Sequence, residues 1–220
     1  MTNLLQSKAK NILAIVFSSV YAFTVFLNFN FNLALYGSWR YIINSIFTNS
    51  ISLLLPVAII VFIALKNNQG AFKKLLLPIV FGVVLTKGTY TLFMSFANTF
   101  TVLNRDIEPL LLITLFLSCL SFAAVVLMFV GTLGSFKNIA LLKYGALASA
   151  IILALIFLLS FILAGGFTYF ETISDSEIST PLLWFNQIKS WLRFLSQILF
   201  YIGLFILFPA KKREKEEITA

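Results

Sequence analysis

The sequence predicts an all-α fold: a polytopic membrane helix bundle with six transmembrane helices and cytoplasmic N- and C-termini. Three observations predict it, namely the composition, six long apolar segments and the placement of the basic residues. Hydrophobic residues make up 60% of the 220 residues and charged residues only 11%, whereas a soluble domain usually carries about 25% charged residues. A chain this apolar could not cover its own surface in water, so we expect the bilayer to be its solvent. We expect residues 1–220 to form a single integral membrane domain.

Six segments are long and apolar enough to cross the hydrocarbon core of a bilayer, which takes about 20 apolar residues. They cover residues 11–29, 44–65, 75–98, 109–130, 141–165 and 190–208. Polar or glycine-containing turns are predicted between them, at 66–70, 104–106, 131–134 and 171–180. The first apolar run continues past a passable cleavage pattern at Ala22 to Leu27. We therefore expect an uncleaved first span rather than a removable signal.

The basic residues fall unequally on the two sides of a six-span chain. Eleven lysines and arginines lie on the side of the termini and four on the opposite side. Because cytoplasmic loops carry the excess of Lys and Arg, both termini and the charged tail 209–220 are predicted to be cytoplasmic. The acidic stretch 171–177 is then outside. We expect a multi-pass protein of a bacterial plasma membrane.

Several classes of function lack the residues that they need. The net charge of +8 is concentrated at span ends, as topology signals and anionic-lipid contacts require, so we expect no nucleic-acid partner. The chain has one cysteine, Cys119, and no histidine, which excludes a disulfide within the chain and the usual zinc ligand sets. A serine–lysine pair such as Ser95 with Lys87 is allowed by residue type, but no spacing places the two together. We expect no metal, no cofactor and no enzymatic activity.

Lys87 is the one charged residue deep inside a predicted span. It lies in an apolar stretch from Leu75 to Phe96 that contains no carboxylate. Counting from Lys73 and Lys74 at the inner end, Lys87 lies roughly 18–20 Å along the helix at about 1.5 Å per residue. In a core about 30 Å thick this leaves roughly 10 Å to the outer surface, more than an ammonium recovers by snorkelling. Such a charge faces protein or water and is a functional-site hypothesis by default.

Two polar stripes extend this hypothesis, and both occupy the half of the membrane predicted to be outer. At spacings of three and four residues, the face of Lys87 carries Tyr90, Thr91, Ser95 and Asn98, and a second stripe on the last span carries Arg193, Gln197 and Tyr201. We predict an outward-facing cleft, lined by spans three and six with Lys87 at its floor, that binds an anionic or polar small molecule. The alternative is a purely structural Lys87, held uncharged or bonded to carbonyls and hydroxyls such as Thr91.

Small residues recur every four positions on two spans, a pattern that lets helix backbones approach closely in membranes. They are Ala14, Ser18 and Ala22 on the first span, and Gly145 and Ser149 on the fifth. Packing within the bundle is one interpretation. The other is docking of a membrane partner subunit on the first-span stripe. Six spans, the chain length and that stripe are similar to the substrate-binding subunits of energy-coupling-factor vitamin transporters, a resemblance that implies such a partner.

Two classes of function follow from these features. The first is a small-molecule-binding or permease-type subunit in the lipid bilayer that needs a partner for energy coupling, because no histidine or membrane-depth carboxylate is available for proton coupling. The second is a non-transport accessory protein, for assembly, immunity or regulation, that acts through helix–helix contacts. A bound small molecule indicates the first class, whereas a stoichiometric membrane partner without one indicates the second.

The predicted orientation can be measured with single reporter cysteines in a Cys119→Ala background. A membrane-impermeant thiol reagent added to intact cells should label Glu177→Cys, in the acidic stretch. It should not label Lys137→Cys or Lys212→Cys before the cells are permeabilised. Labelling of either lysine position from outside would reverse the orientation.

Overall fold

A computed structural model of the chain describes residues 2–28, 39–65, 70–102, 109–136, 138–163 and 180–208. These residues form six α-helices. They are α1 (Thr2–Leu27), α2 (Trp39–Ala64), α3 (Gly70–Val102), α4 (Pro109–Gly134), α5 (Ile139–Leu163) and α6 (Thr180–Leu207). Each contains a segment long and apolar enough to cross a membrane. The described part of the chain is thus all-helical with six such helices, as the composition predicts, and is compatible with a multi-pass membrane protein.

The helices form a closed ring. Each helix packs against the helix before and the helix after it in the sequence, and α1 also packs against α6. Successive helices therefore occupy successive places around the ring, and contact between the first and the last closes it. The closure leaves a central space to which every helix presents one face.

Five of the six described helices are longer than the apolar segments that predicted them, whereas α5 has the same length as its segment, 25 residues. The last helix begins at Thr180, ten residues before the predicted span, and Pro181 occupies the first turn, where a proline needs no N–H partner. The polar residues that follow lower the hydropathy of this segment without interrupting a helix. At the end of α4, residues 131–134 are helical and the turn comes at Ser135 and Phe136. The acidic stretch 171–177 lies outside the described residues.

Two prolines lie in helix interiors, Pro56 in α2 and Pro78 in α3. A proline has no N–H with which to bond the carbonyl four residues earlier, and its ring crowds that carbonyl. In α2 this carbonyl belongs to Ser52. The helical ladder of α2 therefore lacks one hydrogen bond at Ser52.

Apolar side chains cover both the inside and the outside of the ring. Phe81, Met128 and Leu204 are among the core residues with at most 1% of their surface exposed, and the rings of Tyr21 and Phe200 pack 5.2 Å apart between α1 and α6. Large apolar side chains also point outward, and Phe93 is 66% exposed. The outward apolar residues occur on all six helices, which a surface in water would not support but a bilayer would.

Small residues allow close contact between α4 and α5. A Cβ atom on Gly145 would lie 3.0 Å from the carbonyl oxygen of Leu127 and 3.7 Å from the Cα atom of Gly131. One turn along, the Ser149 hydroxyl donates a hydrogen bond of 2.8 Å to the carbonyl of Ala124. Gly145 and Ser149 thus lie in the α4–α5 interface.

The small-residue stripe of α1 is largely inside the ring. Ala14 and Ser18 are 2% and 1% exposed, and Ala22 is partly buried. On the facing helix, a Cβ atom on Gly203 would lie 3.1 Å from the ring of Phe17 and 3.6 Å from the Cα atom of Ala14. Ala14 and Ser18 are therefore covered by the chain itself and are not available to a partner on this face.

The α4–α5 contact predicts unequal effects of two glycine-to-alanine substitutions. Gly145→Ala should lower the free energy of unfolding by about 1–3 kcal/mol, because the added methyl group meets a backbone carbonyl that cannot move away. Gly82→Ala is the matched control, since a Cβ atom there would lie 3.4 Å from the ring of Phe129, an ordinary contact. Thermal unfolding of the purified variants in detergent measures the difference. Equal melting temperatures for the two variants would contradict the proposed close contact.

Candidate functional site: a basic cavity inside the ring

Lys87 reaches across the ring from α3 to α2. Its Nζ atom donates a hydrogen bond of 2.7 Å to the backbone carbonyl of Thr48 and another of 2.6 Å to the hydroxyl of Ser52. The side chain is partly buried. Thr91, expected from the sequence to bond the ammonium, instead donates its hydroxyl to the backbone carbonyl of Lys87. The partners of Lys87 in the described part of the chain therefore come from the neighbouring helix.

Arg193 reaches the same point from α6. Its Nη1 atom donates to the amide oxygen of Asn49 at 3.1 Å, and its Nη2 atom donates to the hydroxyl of Ser52 at 3.2 Å. Lys87 and Arg193 thus contact the same hydroxyl oxygen. Their terminal nitrogens can lie no farther apart than the sum of these two bond lengths to Ser52.

The hydroxyl of Ser52 is fully used by these contacts. It donates to the carbonyl of Thr48 at 3.0 Å and accepts from both Lys87 and Arg193, which fills its one donor and two acceptor positions. Each cation retains donors: two of the three ammonium N–H groups and two of the five guanidinium N–H groups are used by contacts within the described ranges. The remaining N–H groups can bond a ligand.

The two cations meet no acidic side chain among the residues that the structure describes. The eight acidic residues of the chain all lie in 103–108, 164–179 or 209–220, and none of these ranges is described. The two bonds to Ser52 keep the nitrogens within about 5.8 Å of each other, and two protonated groups at that separation repel each other by about 3 kcal/mol at an effective dielectric constant of about 20. The hydroxyl, carbonyl and amide oxygens around Lys87 and Arg193 offset part of this cost. An anion would offset more of it.

A network of short hydrogen bonds fixes this part of α1, α2 and α6. The Thr24 and Ser196 hydroxyls lie 2.6 Å apart, and Ser196 also donates to the backbone carbonyl of Arg193. The amide nitrogen of Asn49 donates to the carbonyl of Asn28 at the end of α1. Both partners of the guanidinium lie on α2, and Asn49 connects it through its own amide nitrogen to the end of α1.

A cavity of about 380 Å³ occupies the ring beside the two cations. All six helices contribute to its lining. The lining residues come from the half of the ring in which α1, α3 and α5 end, and from the middle. Beyond them the interior is closed by buried apolar side chains such as Phe81, Met128 and Leu204. Its size falls within the usual range of small-molecule sites, about 300–1,000 Å³.

The structure brings together five of the eight residues predicted for the cleft. Lys87, Thr91, Arg193, Gln197 and Tyr201 all line the cavity. Tyr90 is 55% exposed and does not line it. Tyr90 and Thr91 follow Lys87 by three and four residues and therefore lie on opposite flanks of its helix face. The cavity lies on the flank that carries Thr91.

The other two predicted residues lie toward the end of α3. The hydroxyl of Ser95 lies 3.1 Å from that of Ser118 on α4, so Ser95 links two helices beside the cavity. Asn98 lies outside the residues whose side chains are described.

Sequence reasoning missed the residues on α2. Thr48, Asn49 and Ser52 receive the hydrogen bonds of both cations, and none was a candidate. The signal was present, since Ser45, Thr48, Asn49 and Ser52 recur at spacings of three and four in an otherwise apolar span and so share a face. Short hydroxyl and amide side chains are common in membrane helices, where they bond their own backbone, and the pattern was therefore not distinctive.

The donor set of the cavity determines its chemistry. Its described lining contains an ammonium, a guanidinium, one amide and several hydroxyls, but no carboxylate, thiol or imidazole. Hard metal ions prefer carboxylate and carbonyl oxygens, and zinc prefers thiolates and imidazoles, so these side chains do not form a metal site. Cations with unused N–H groups bind carboxylates and phosphates, and arginine does so with two parallel hydrogen bonds.

The fold and the site define a class: a six-helix bundle, compatible with a multi-pass membrane protein, with two basic side chains at an internal cavity. No protein-family model, curated protein or solved structure matches the chain. The residues of the cavity therefore carry the functional argument.

Removing the shared hydroxyl should destabilise the site. Ser52→Ala takes one acceptor from Lys87 and one from Arg193, and we expect it to lower the free energy of unfolding by about 1–3 kcal/mol. Thr89→Val is the matched control, because its hydroxyl is exposed and bonds only the carbonyl of Leu85 on its own helix. Chemical unfolding in mixed micelles compares the two. If Ser52→Ala is as stable as Thr89→Val, the two cations do not depend on Ser52.

Proposed function

We propose that the chain is a small-molecule-binding or permease-type subunit of a membrane, which recognises a polar or anionic molecule in the central cavity. The observation that carries the proposal is the meeting of Lys87 and Arg193 at the hydroxyl of Ser52. A charged side chain at bilayer depth is costly and marks a binding site or an ion pathway by default. Lys87 is such a side chain, and Arg193 meets it at one oxygen atom beside a cavity. A ligand that supplies the opposite charge would explain this pair.

The orientation predicted from the basic residues gives the cavity a direction. With both termini cytoplasmic, the half of the ring in which α1, α3 and α5 end is the outer half. The cavity lining lies in that half and in the middle, and buried apolar side chains close the other half. This arrangement supports a site that receives its ligand from outside the cell, in a bacterial plasma membrane.

Energy for movement across the membrane would have to come from another protein. Proton-coupled transporters use acidic or histidine side chains within the membrane. The chain has no histidine, and none of its acidic residues lies within the six described helices. These facts support a subunit that binds a small molecule and depends on a partner, and they give no support to catalysis.

The proposal is tested by gentle purification from native membranes and mass spectrometry of the intact assembly. We expect a bound small molecule or lipid that is present in the wild type and lost from Lys87→Met. A stoichiometric membrane protein partner with no small molecule in either sample would favour the accessory class, in which the chain acts through helix–helix contacts. That outcome would overturn the proposal.

Lys87→Met also separates a ligand site from a structural lysine. The substitution leaves no described partner without a hydrogen bond, because the carbonyl of Thr48 keeps the hydroxyl of Ser52, and Ser52 keeps Arg193. It also removes one of two neighbouring like charges. We therefore expect the ligand-free variant to melt at or above the temperature of the wild type. Lys143→Met, which removes a lysine packed 4.5 Å from the centre of the Phe205 ring, is the control for loss of a lysine elsewhere in the bundle.

A fall of several degrees in the melting temperature of Lys87→Met, larger than that of Lys143→Met, would indicate a structural lysine. Unchanged retention of the small molecule by the same variant would do so as well.

A further inference from the structure

The cavity has two chemically different sides. The cations lie on the side of α2, where Ser52 holds Lys87 and Arg193. The opposite side of the ring is formed by α4 and α5, whose seven lining residues are all uncharged. Four of them, Leu117, Phe122, Val125 and Ile156, are apolar, and the other three are serines.

An aromatic ring stands close to the basic side because α3 has a glycine there. Gly88 follows Lys87 directly, and a Cβ atom on Gly88 would lie 3.3 Å from the ring of Phe122 on α4. Without that Cβ atom, the ring of Phe122 can approach the backbone of α3 next to the lysine. The apolar side of the cavity therefore begins immediately beside the basic side.

A small inorganic anion would use only one of these sides. It could contact the ammonium and the guanidinium, but it would leave most of a cavity of about 380 Å³ lined by apolar carbon atoms. An apolar molecule would fill the opposite side and leave both cations unpaired at low dielectric, which is costly. A molecule with an anionic group at one end and an apolar body satisfies both sides.

We propose that the cavity binds an amphiphilic anion, with its carboxylate or phosphate on Lys87 and Arg193 and its apolar body against Phe122 and Ile156. This inference rests on the proposed function and narrows its ligand to one chemical class. The three serines of α4 and α5 allow the body to carry a hydroxyl or a carbonyl group. Membrane lipids and free organic acids share this chemistry.

Binding of three simple probes to the full chain in phosphatidylcholine nanodiscs tests the inference, with empty nanodiscs as the blank for partition into lipid. The probes are octanoate, which has both parts, octanol, which lacks the charge, and acetate, which lacks the body. We expect saturable binding of octanoate and at least about tenfold weaker binding of octanol and acetate, from the loss of charged hydrogen bonds and of buried methylenes respectively. Equilibrium dialysis of the labelled probes gives the dissociation constants.

Variants assign the two ends of the probe to the two sides of the cavity. Lys87→Met and Arg193→Gln should each weaken the binding of octanoate at least about tenfold and change the binding of octanol little, because each removes only a partner of the carboxylate. Lys143→Met is the matched control and should leave octanoate unchanged. Phe122→Ala should weaken octanoate severalfold without changing acetate, whereas Phe116→Ala, on the same helix but 57% exposed and outside the lining, should change neither.

Failure of this inference is distinguishable from failure of the proposed function. The proposed contact of an anionic group with the two cations would be wrong in either of two cases: if octanol binds as tightly as octanoate, or if octanoate binds Lys87→Met as tightly as the wild type. If acetate binds as tightly as octanoate, the apolar body contributes nothing to binding and that part of the inference is wrong. In each of these cases a saturable site remains and the proposed function stands. Absence of saturable binding by all three probes overturns the amphiphilic anion, and the small molecule retained during native purification then decides the proposed function separately.

The source of the anion is decided by changing the lipid of the nanodisc. If the natural ligand is a membrane lipid, phosphatidylglycerol nanodiscs should weaken octanoate by competition, and mass spectrometry should show the lipid retained by the wild type and lost from Lys87→Met. If the ligand is a free organic acid, octanoate should bind equally in both lipids. Either outcome supports the shared chemistry.

Discussion

The hydroxyl of Ser52 is the interaction on which the centre of this molecule depends. It bonds Lys87 of α3, Arg193 of α6 and its own helix, and thereby brings three helices to one oxygen atom. An alanine at this position would offer no acceptor, and a carboxylate would neutralise positive charge at the site. A hydroxyl holds two positive groups in place and leaves their charge available. The meeting of the two cations beside the cavity follows from these bonds, and the proposed anionic ligand is argued from it.

The closed ring makes this arrangement possible. A bundle with helices packed at its centre would bury Lys87 among apolar side chains, whereas a ring leaves an interior that polar groups can share. Close contacts between neighbours hold the ring together, above all Gly145 against Leu127 on α4 and Gly203 against Ala14 on α1. These contacts bring backbones together at the periphery while the centre of one half stays open. Close helix contacts at small residues and the open cavity are therefore two results of the same packing.

Much of the fold was predictable because the bilayer imposes a simple rule, that every span must be an apolar helix. The six helices follow from that rule, and the choice of Lys87 as a candidate residue follows from the cost of charge at depth. The ends of the helices could not be predicted in this way. Hydropathy marks the apolar part of a helix, whereas the helix itself continues as far as its backbone hydrogen bonds do. The last helix, for example, begins at Thr180, before its apolar segment. Tyr90 and Thr91 are equivalent on a helical wheel, and only the position of the neighbouring helices distinguishes them. The acceptors on α2 could not be assigned because a serine that bonds its own backbone and a serine that bonds two cations look the same in sequence.

Pro56 gives the site a mechanical property. Its missing N–H leaves α2 without a helical hydrogen bond to the carbonyl of Ser52, the residue whose side chain holds both cations. Bending a helix normally weakens bonds of its ladder, but at Ser52 that bond is already absent. The two ends of α2 can therefore change their angle at Ser52, and any movement of Lys87 and Arg193 would act on α2 at that residue. The residue that holds both cations would then also be the point at which α2 bends.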